Sequence, residues 1–323
     1  LAWDARAGGP TRAALRATIA LRSALSVINE PLPVQLALDS PQHLLILCDD
    51  EATENAAHMA SGSWQELLGL DVTVYRRFIN ELTSTPPGTA LLRIIRAGAV
   101  LSIRDDRTIA LPADLSPFQW ELLGTLYLNA LAVRLARQHG VDTHTWEIGL
   151  YRLPLLIEQV LSDTALQEAI DAALSPLLAA GYDKAQIIGG GQDFAAAHSI
   201  ARSLRSRGFM AEALYTDSAW HGPLATVGGE DAEHDTLIVI LATDPLFQAA
   251  ALVDTQVYRT RHAPVLLVVP QGNQDLPGVR GVEASAILAL PPVPRPLTPL
   301  INATLGEVLA RQIAAFWDAQ VEK

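Results

Sequence analysis

Three groups of residues in this 323-residue chain have types and spacing suited to chemistry. The first is Cys48-Asp49-Asp50-Glu51, with Thr53 two positions on. Adjacent carboxylates repel a phosphate and raise one another's pKa. They suit a hard cation or, at a helix start, the N-cap and the positive end of the helix dipole; capping is the reading favoured here. The second is Gly189-Gly190-Gly191-Gln192, whose backbone N–H groups could face an anion at the start of a helix. The same triplet also serves where a strand-to-helix turn needs positive φ, and it lacks the third glycine of a dinucleotide fingerprint. The third holds Glu212 and, nine residues on, His221, a side chain whose ordinary pKa lies near neutral pH. Their structural alternatives are a capping Glu212 and a loop histidine, before Gly222-Pro223, bonded to backbone.

The rest of the composition narrows the chemistry further. One cysteine, Cys48, excludes an intramolecular disulfide framework and a Cys-based zinc cluster. Lys184 and Lys323 are the two lysines, and neither lies in an apolar run, which argues against imine chemistry. No cofactor or metal is expected. A net charge of −12 argues against a phosphate-backbone footprint, so nucleic acid is not an expected partner. Half of the residues are hydrophobic, yet no apolar run approaches the ~18–20 residues of a membrane span. Leu1-Ala2-Trp3-Asp4 does not read as a signal peptide, and a reducing cytoplasm is the expected location.

These groups need elements to hold them. His43–Cys48 reads as a buried strand, Glu51–Leu68 as a helix and Asp71–Tyr75 as a second strand, one βαβ unit with a right-handed crossover. A turn-rich stretch, Thr83–Thr89, precedes a strand expected over Ala99–Ile103 and a long apolar helix over Phe118–Gln138. Thr11–Ile28 reads as a helix. Leu150–Ala180 is helical, with Asp163 as an N-cap and Gly181 as the stop. Strand–helix alternation then restarts: strand Lys184–Ile188, glycine turn, helix Asp193–Arg207, and strands at Met210–Leu214 and Thr236–Ala242. Helix Pro245–His262, strand Pro264–Val269, edge strand Ala286–Leu290 and helix Leu297–Val321 complete it. The repeat of this order predicts two α/β halves: a helical segment over residues 1–35, a first module over 36–140, a helical connector over 141–182 and a second module over 183–323. In open α/β sheets ligands bind beyond the carboxyl ends of strands, which singles out the loops Cys48–Thr53 and Gly189–Asp193. The surplus apolar surface of the two long helices predicts a homodimer.

The segment Met210-Ala-Glu-Ala-Leu-Tyr-Thr-Asp-Ser-Ala-Trp-His221-Gly-Pro-Leu-Ala225, following Ile187-Ile-Gly-Gly-Gly-Gln192, resembles the second module of the double sugar-isomerase (SIS) family. That family includes the isomerase domain of glucosamine-6-phosphate synthase and the fructosamine deglycases. Pro86-Pro-Gly-Thr89 and Ala99–Leu123 are similar to parts of a first SIS module. The resemblance implies two flavodoxin-like three-layer α/β/α SIS modules with parallel sheets, paired as a homodimer. It also implies a sugar-phosphate site on a Ser-Gln-Ser-Gly-type loop, a ring-opening histidine at His221 and a structural glutamate at Glu212.

The chain also departs from that pattern. The family's proton-shuttling glutamate falls at Arg205 or Ser206, the phosphate loop is absent, a loop serine falls near the acid Asp114, and the closing lysine has only Lys323 as a counterpart. The resemblance therefore implies a binder of a phosphosugar or amino-sugar derivative diverged from aldose–ketose isomerases, with Gly189, Gly190, Gly191, Gln192, Asp49, Asp50, Glu51 and Thr53 as candidate ligand contacts. The alternative is a non-catalytic dimeric regulatory or scaffold protein.

Overall fold

The apolar run His43–Cys48 forms β1 of the computed structural model and is buried at five of its six positions, as a parallel strand covered on both faces requires. The structure describes residues 42–76, 87–96, 108–111, 115–216 and 236–321. The helix expected over Thr11–Ile28, the strand expected over Ala99–Ile103, Asp114 and His221 lie outside them. The chain divides into two units, Leu1–Pro154 and Leu155–Lys323.

In the first unit, α1 (Glu51–Leu68) follows β1 directly. Its buried residues Ala52, Ala56, Met59, Ala60, Trp64 and Leu67 recur at helical spacing, and Gly69, in the left-handed region at φ 65°, ends it. β2 (Asp71–Arg76) and β3 (Thr89–Arg96) flank β1, and β4 (Thr108–Leu111) lies outside β3, giving the parallel order β2-β1-β3-β4. α2 (Pro117–Gln138) starts with Pro117 behind a Ser116–Gln119 capping box and packs along α1. Polar pairs set that packing: Asn55 Nδ2 donates to Glu121 Oε1 at 3.0 Å, and the Ser63 hydroxyl donates to Asn129 Oδ1. Buried polar groups satisfied in this way fix which residues face one another.

In the second unit, α3 (His144–Ser162), which begins in the first, leads to α4 (Thr164–Ala179). Asp163 Oδ1 caps α4 through the Leu166 amide at 3.0 Å. Then come β5 (Lys184–Gly189), α5 (Asp193–Arg205), β6 (Met210–Tyr215), β7 (Thr236–Leu241), α6 (Gln248–Thr260), β8 (Val265–Pro270), the short α7 (Pro277–Arg280), β9 (Ala286–Leu290) and α8 (Thr298–Val321). The parallel order is β6-β5-β7-β8-β9. The chain steps one way from β5 to β6 and the other way from β7 to β8, so right-handed crossovers put α5 and α6 on opposite faces. α8 packs on α5 and α4, completing the layer opposite α6. On the α6 face Ile188, Ile238, Ile240, Tyr258 and Leu267 form a buried cluster.

The architecture is the expected α/β class: parallel sheets flanked by helices, with the direction of winding reversed between β5 and β7. The apolar surplus of α2 and of α8 is largely buried within the single chain. Among the described residues no helix is long and apolar enough to cross a membrane.

Candidate functional site

The reversal between β5 and β7 makes a crevice at the carboxyl ends of those strands, and buried polar residues converge there. Asp193, the first residue of α5, is fully buried. Its Oδ2 accepts the backbone N–H groups of Thr243 at 2.9 Å and Asp244 at 2.8 Å. Its Oδ1 accepts the Thr243 hydroxyl at 2.5 Å and Asn302 Nδ2, from α8, at 2.9 Å. One carboxylate thus ties α5, the loop after β7 and α8 together. Burial pushes its pKa up to about 6, against the hydrogen bonds that favour the ionised form.

Beside it, Asp244 is held by Arg295: Nε reaches Oδ1 at 2.9 Å and Nη2 reaches Oδ2 at 3.0 Å. The amides of Leu246 and Gln192 add hydrogen bonds at 3.1 and 3.2 Å. Burial alone would raise this carboxyl, but Arg295 and the two amides hold it below the usual carboxylate range.

The glycine turn lies directly against this pair. Gly191 has φ +56°, and a Cβ there would sit 2.6 Å from both Asp244 Oδ2 and the Phe247 ring. A Cβ on Gly190 would sit 2.5 Å from the same ring and 2.7 Å from the Thr216 hydroxyl. The glycines are therefore required by the close approach of Phe247, whose ring also packs edge-on against Tyr215, itself edge-on to Phe194. The Gly191 amide points to the Tyr215 hydroxyl at 3.4 Å, and the Gln192 amide to Asp244. The anion at this helix start is the protein's own Asp244 carboxylate.

Next to the turn, a cleft of about 200 Å3 opens at the carboxyl ends of β7, β8 and β9. Thr243, Gln248, Asn273, Arg295, Thr298 and Asn302 supply its polar lining; Pro270, Pro291 and Ile301 are among its apolar walls. Asn302 Oδ1 and Gln248 Nε2 are buried with no hydrogen-bond partner among the described residues.

Glu212 lies on edge strand β6, and its Oε1 accepts Gln186 Nε2 at 2.9 Å, while Gln186 Oε1 accepts the Tyr258 hydroxyl at 2.9 Å. Arg205, at the far end of α5, donates from Nη1 to the Ala211 carbonyl at 2.9 Å. In the first unit, Asp50 is the N-cap of α1: its Oδ1 accepts the Thr53 amide at 2.8 Å, and Thr53 Oγ1 accepts the Asp50 amide at 3.1 Å. Thr53 is fully buried, and its hydroxyl lies 2.9 Å from Asp49 Oδ1. Glu51 is exposed in the first turn, where negative charge suits the dipole. Burial, then the carboxylates of Glu54, Asp49 and Asp50, push the Cys48 thiol far up, so it is no nucleophile at neutral pH.

Of the expected residues, the structure gathers the loop Gly189–Asp193 at the crevice, together with Thr243, Asp244, Arg295 and Asn302, which sequence reasoning missed. One signal was available: Asn302 interrupts the apolar run Leu300-Ile301-Asn302-Ala303, a polar residue on a core-facing stretch.

No protein-family model and no curated protein sequence matches the chain. Solved structures do match. The C-terminal domain of glucosamine-fructose-6-phosphate aminotransferase from Francisella tularensis is 14% identical over 98% of each chain, with a TM-score of 0.74. Tagatose-6-phosphate ketose/aldose isomerase from Escherichia coli is 16% identical over 96% of this chain and 91% of the other, with a TM-score of 0.58. Glucosamine-6-phosphate deaminase from Thermotoga maritima is 13% identical over 94% of each chain, with a TM-score of 0.59. This chain has their fold.

Proposed function

We propose that this protein binds a carbohydrate derivative of the phosphosugar or amino-sugar type on a double-SIS scaffold, as a diverged relative of aldose–ketose phosphosugar isomerases. The observation that carries the reading is the fold likeness over 98% of the chain to the C-terminal domain of a glucosamine-fructose-6-phosphate aminotransferase. Fold alone does not assign function. The convergence of buried Asp193, Thr243 and Asn302 at the winding reversal of the second sheet supports a ligand there. In this reading residues 36–140 and 183–323 are the two modules, joined by a connector over 141–182 and preceded by a helical segment over 1–35, and the protein acts as a homodimer.

His221 is the residue assigned to ring opening. Glu212 braces β6 through Gln186. The turn Gly189–Gln192 borders the ligand crevice of the second module, and Asp49, Asp50, Glu51 and Thr53 border that of the first.

The test is a thermal-shift screen of the full chain against glucose, glucosamine and fructose with their 6-phosphates. A ligand at a hundred times its Kd stabilises the folded state by about 2.7 kcal/mol, enough to raise the melting temperature measurably. A flat response across the whole panel rejects the reading.

A further inference from the structure

We propose that the cleft at the carboxyl ends of β7, β8 and β9 binds a neutral, unphosphorylated sugar or sugar amide, held by hydrogen bonds to hydroxyl or acetamido groups and not by charge. The proposal rests on the carbohydrate part of the reading above and, for this cleft, sets a neutral ligand in place of the phosphosugar.

The first argument is the orientation of Asn302. Its Nδ2 donates to Asp193 Oδ1 at 2.9 Å and to Thr243 Oγ1 at 2.6 Å. Both partners are acceptors: Asp193 is a carboxylate, and the Thr243 hydroxyl gives its own proton to Asp193 at 2.5 Å. Turning the amide over would set its oxygen against two other oxygens, so Oδ1 is fixed as an acceptor. Asn302 is fully buried, it lines the cleft, and this Oδ1 has no partner among the described residues.

Across the same lining, Gln248 Nε2 is a buried donor with no partner among the described residues. Asn302 Oδ1 calls for a donor, and the Gln248 amide, which can present either its N–H or its oxygen, suits the other half of a hydroxyl or an acetamido group, each of which can both give and take a hydrogen bond. A phosphate dianion offers acceptors alone, so a phosphate group seated against Asn302 would leave its Oδ1 unmatched.

Charge points the same way. Arg295 is the cation among the cleft's lining residues, and its guanidinium already makes two bonds to Asp244. Asp193 and Asp244 leave the immediate surroundings with more acid than base, which disfavours a dianion. The walls of Pro270, Pro291 and Ile301 offer apolar surface to the C–H face of a sugar ring.

The test uses the full chain with glucose, N-acetylglucosamine and glucose 6-phosphate, read by saturation-transfer NMR and calorimetric titration. Gln248→Leu removes the unmatched amide, and Val293→Trp puts a bulky ring on the cleft's lining. Both positions are half-buried and make no contact with the Asp193–Thr243–Asn302 lock in the hydrogen bonds described. The expected result is binding of a neutral sugar that a 6-phosphate does not tighten. Gln248→Leu should weaken it by about tenfold, the scale of one lost hydrogen bond, and Val293→Trp should abolish it, with melting temperatures close to the parent's. A 6-phosphate that binds more than about tenfold tighter than its neutral parent overturns the proposal on the unmodified protein alone, whatever the variants do. Neutral-sugar binding indifferent to both folded variants also overturns it. In either case the carbohydrate reading survives. Silence toward both neutral and phosphorylated sugars rejects the two together.

Discussion

Arg295 meets Asp244 at two points, Nε on Oδ1 at 2.9 Å and Nη2 on Oδ2 at 3.0 Å, and joins the approach to α8 to the loop after β7. Asp244 is 1% exposed and Arg295 is 30% exposed, so removing the arginine strands a buried carboxylate while removing the acid leaves a cation that can turn to water. Fully buried pairs lose about 3–5 kcal/mol when one partner goes. With Arg295 partly in solvent, Arg295→Met should cost about 2–3 kcal/mol in urea unfolding. The double change Arg295→Met with Asp244→Asn should recover much of that loss. A double variant no better than the single one would show that the pair is not the source of the effect.

The buried carboxyl of Asp193 gives a pH dependence of definite sign. Its folded pKa is about 6, above the ordinary aspartate value near 3.9, because burial outweighs the hydrogen bonds from Thr243 and Asp244. The folded state therefore binds the proton more tightly than the unfolded chain, and this group's contribution to stability grows as pH falls through about 6. Asp193→Asn removes the titration. The stability gap between parent and variant should widen by about 1 kcal/mol between pH 7.5 and pH 5. A constant or narrowing gap would mean that the hydrogen bonds, not burial, dominate at this carboxyl.

Much of the fold was legible because its signals are local. His43–Cys48 and Glu51–Leu68 form the expected strand and helix, Asp163 caps α4, and Ala286–Leu290 is the edge strand. β3 was not expected, because Arg93 breaks the apolar run from Ala90 to Ile95; Arg93 is nonetheless buried, with 7% exposure. The site was less legible than the fold. The glycine turn announced itself, but Asp193, Thr243 and Asn302 are separated by 50 and 59 residues, and their meeting depends on how α8 returns across α5. Short polar side chains in helices read as solvent-facing until tertiary packing places them inside. The glycine turn also carried a second meaning that sequence could not give: its close neighbour is Phe247.

That closeness is testable. Gly190→Ala would set a Cβ 2.5 Å from the Phe247 ring and 2.7 Å from Thr216 Oγ1, so the ring must move. Overpacking of this kind costs about 1–3 kcal/mol. The smaller Phe247→Leu should relieve part of the strain in the double variant. Gly190→Ala with parental stability would contradict the placement of Phe247 over the turn.

A homodimer needs an uncovered apolar surface, and α2 and α8 supply less of it than their composition suggested, since both are largely buried within the chain. A better candidate lies on α3, where Ile148, Tyr151 and Leu155 are exposed by 45%, 49% and 53% at i, i+3 and i+7 spacing. Sedimentation at micromolar concentration should find a dimer burying more than ~1,200 Å2 in total. Ile148→Glu with Leu155→Glu should convert it to a folded monomer. A parent chain that sediments as a monomer would end the homodimer proposal.

The last prediction concerns turnover. Aldose–ketose isomerisation needs a base that takes a proton from one sugar carbon and returns it to the next, and a carboxylate does this when partly desolvated. The resemblance puts that base at Arg205 or Ser206: a guanidinium is a donor only, and Arg205 donates to the Ala211 carbonyl, while the Ser206 hydroxyl donates to the Ser203 carbonyl at 2.6 Å. Arg205 also lies at the C-terminal end of α5, about 18 Å along the axis from Asp193 at a rise of ~1.5 Å per residue. Glu212 is a carboxylate, but its Oε1 accepts Gln186 Nε2 on the outer strand of the sheet, and Gln186 is in turn held by Tyr258. No carboxylate among the described residues therefore stands where the resemblance requires the base. The expected outcome is no measurable interconversion of glucose 6-phosphate and fructose 6-phosphate, or of their amino analogues. His221→Ala should change any residual rate little, because ring opening is not the step that lost its catalyst. Brisk turnover in a coupled assay would refute this, and its collapse in Glu212→Gln, with stability retained, would make Glu212 the base.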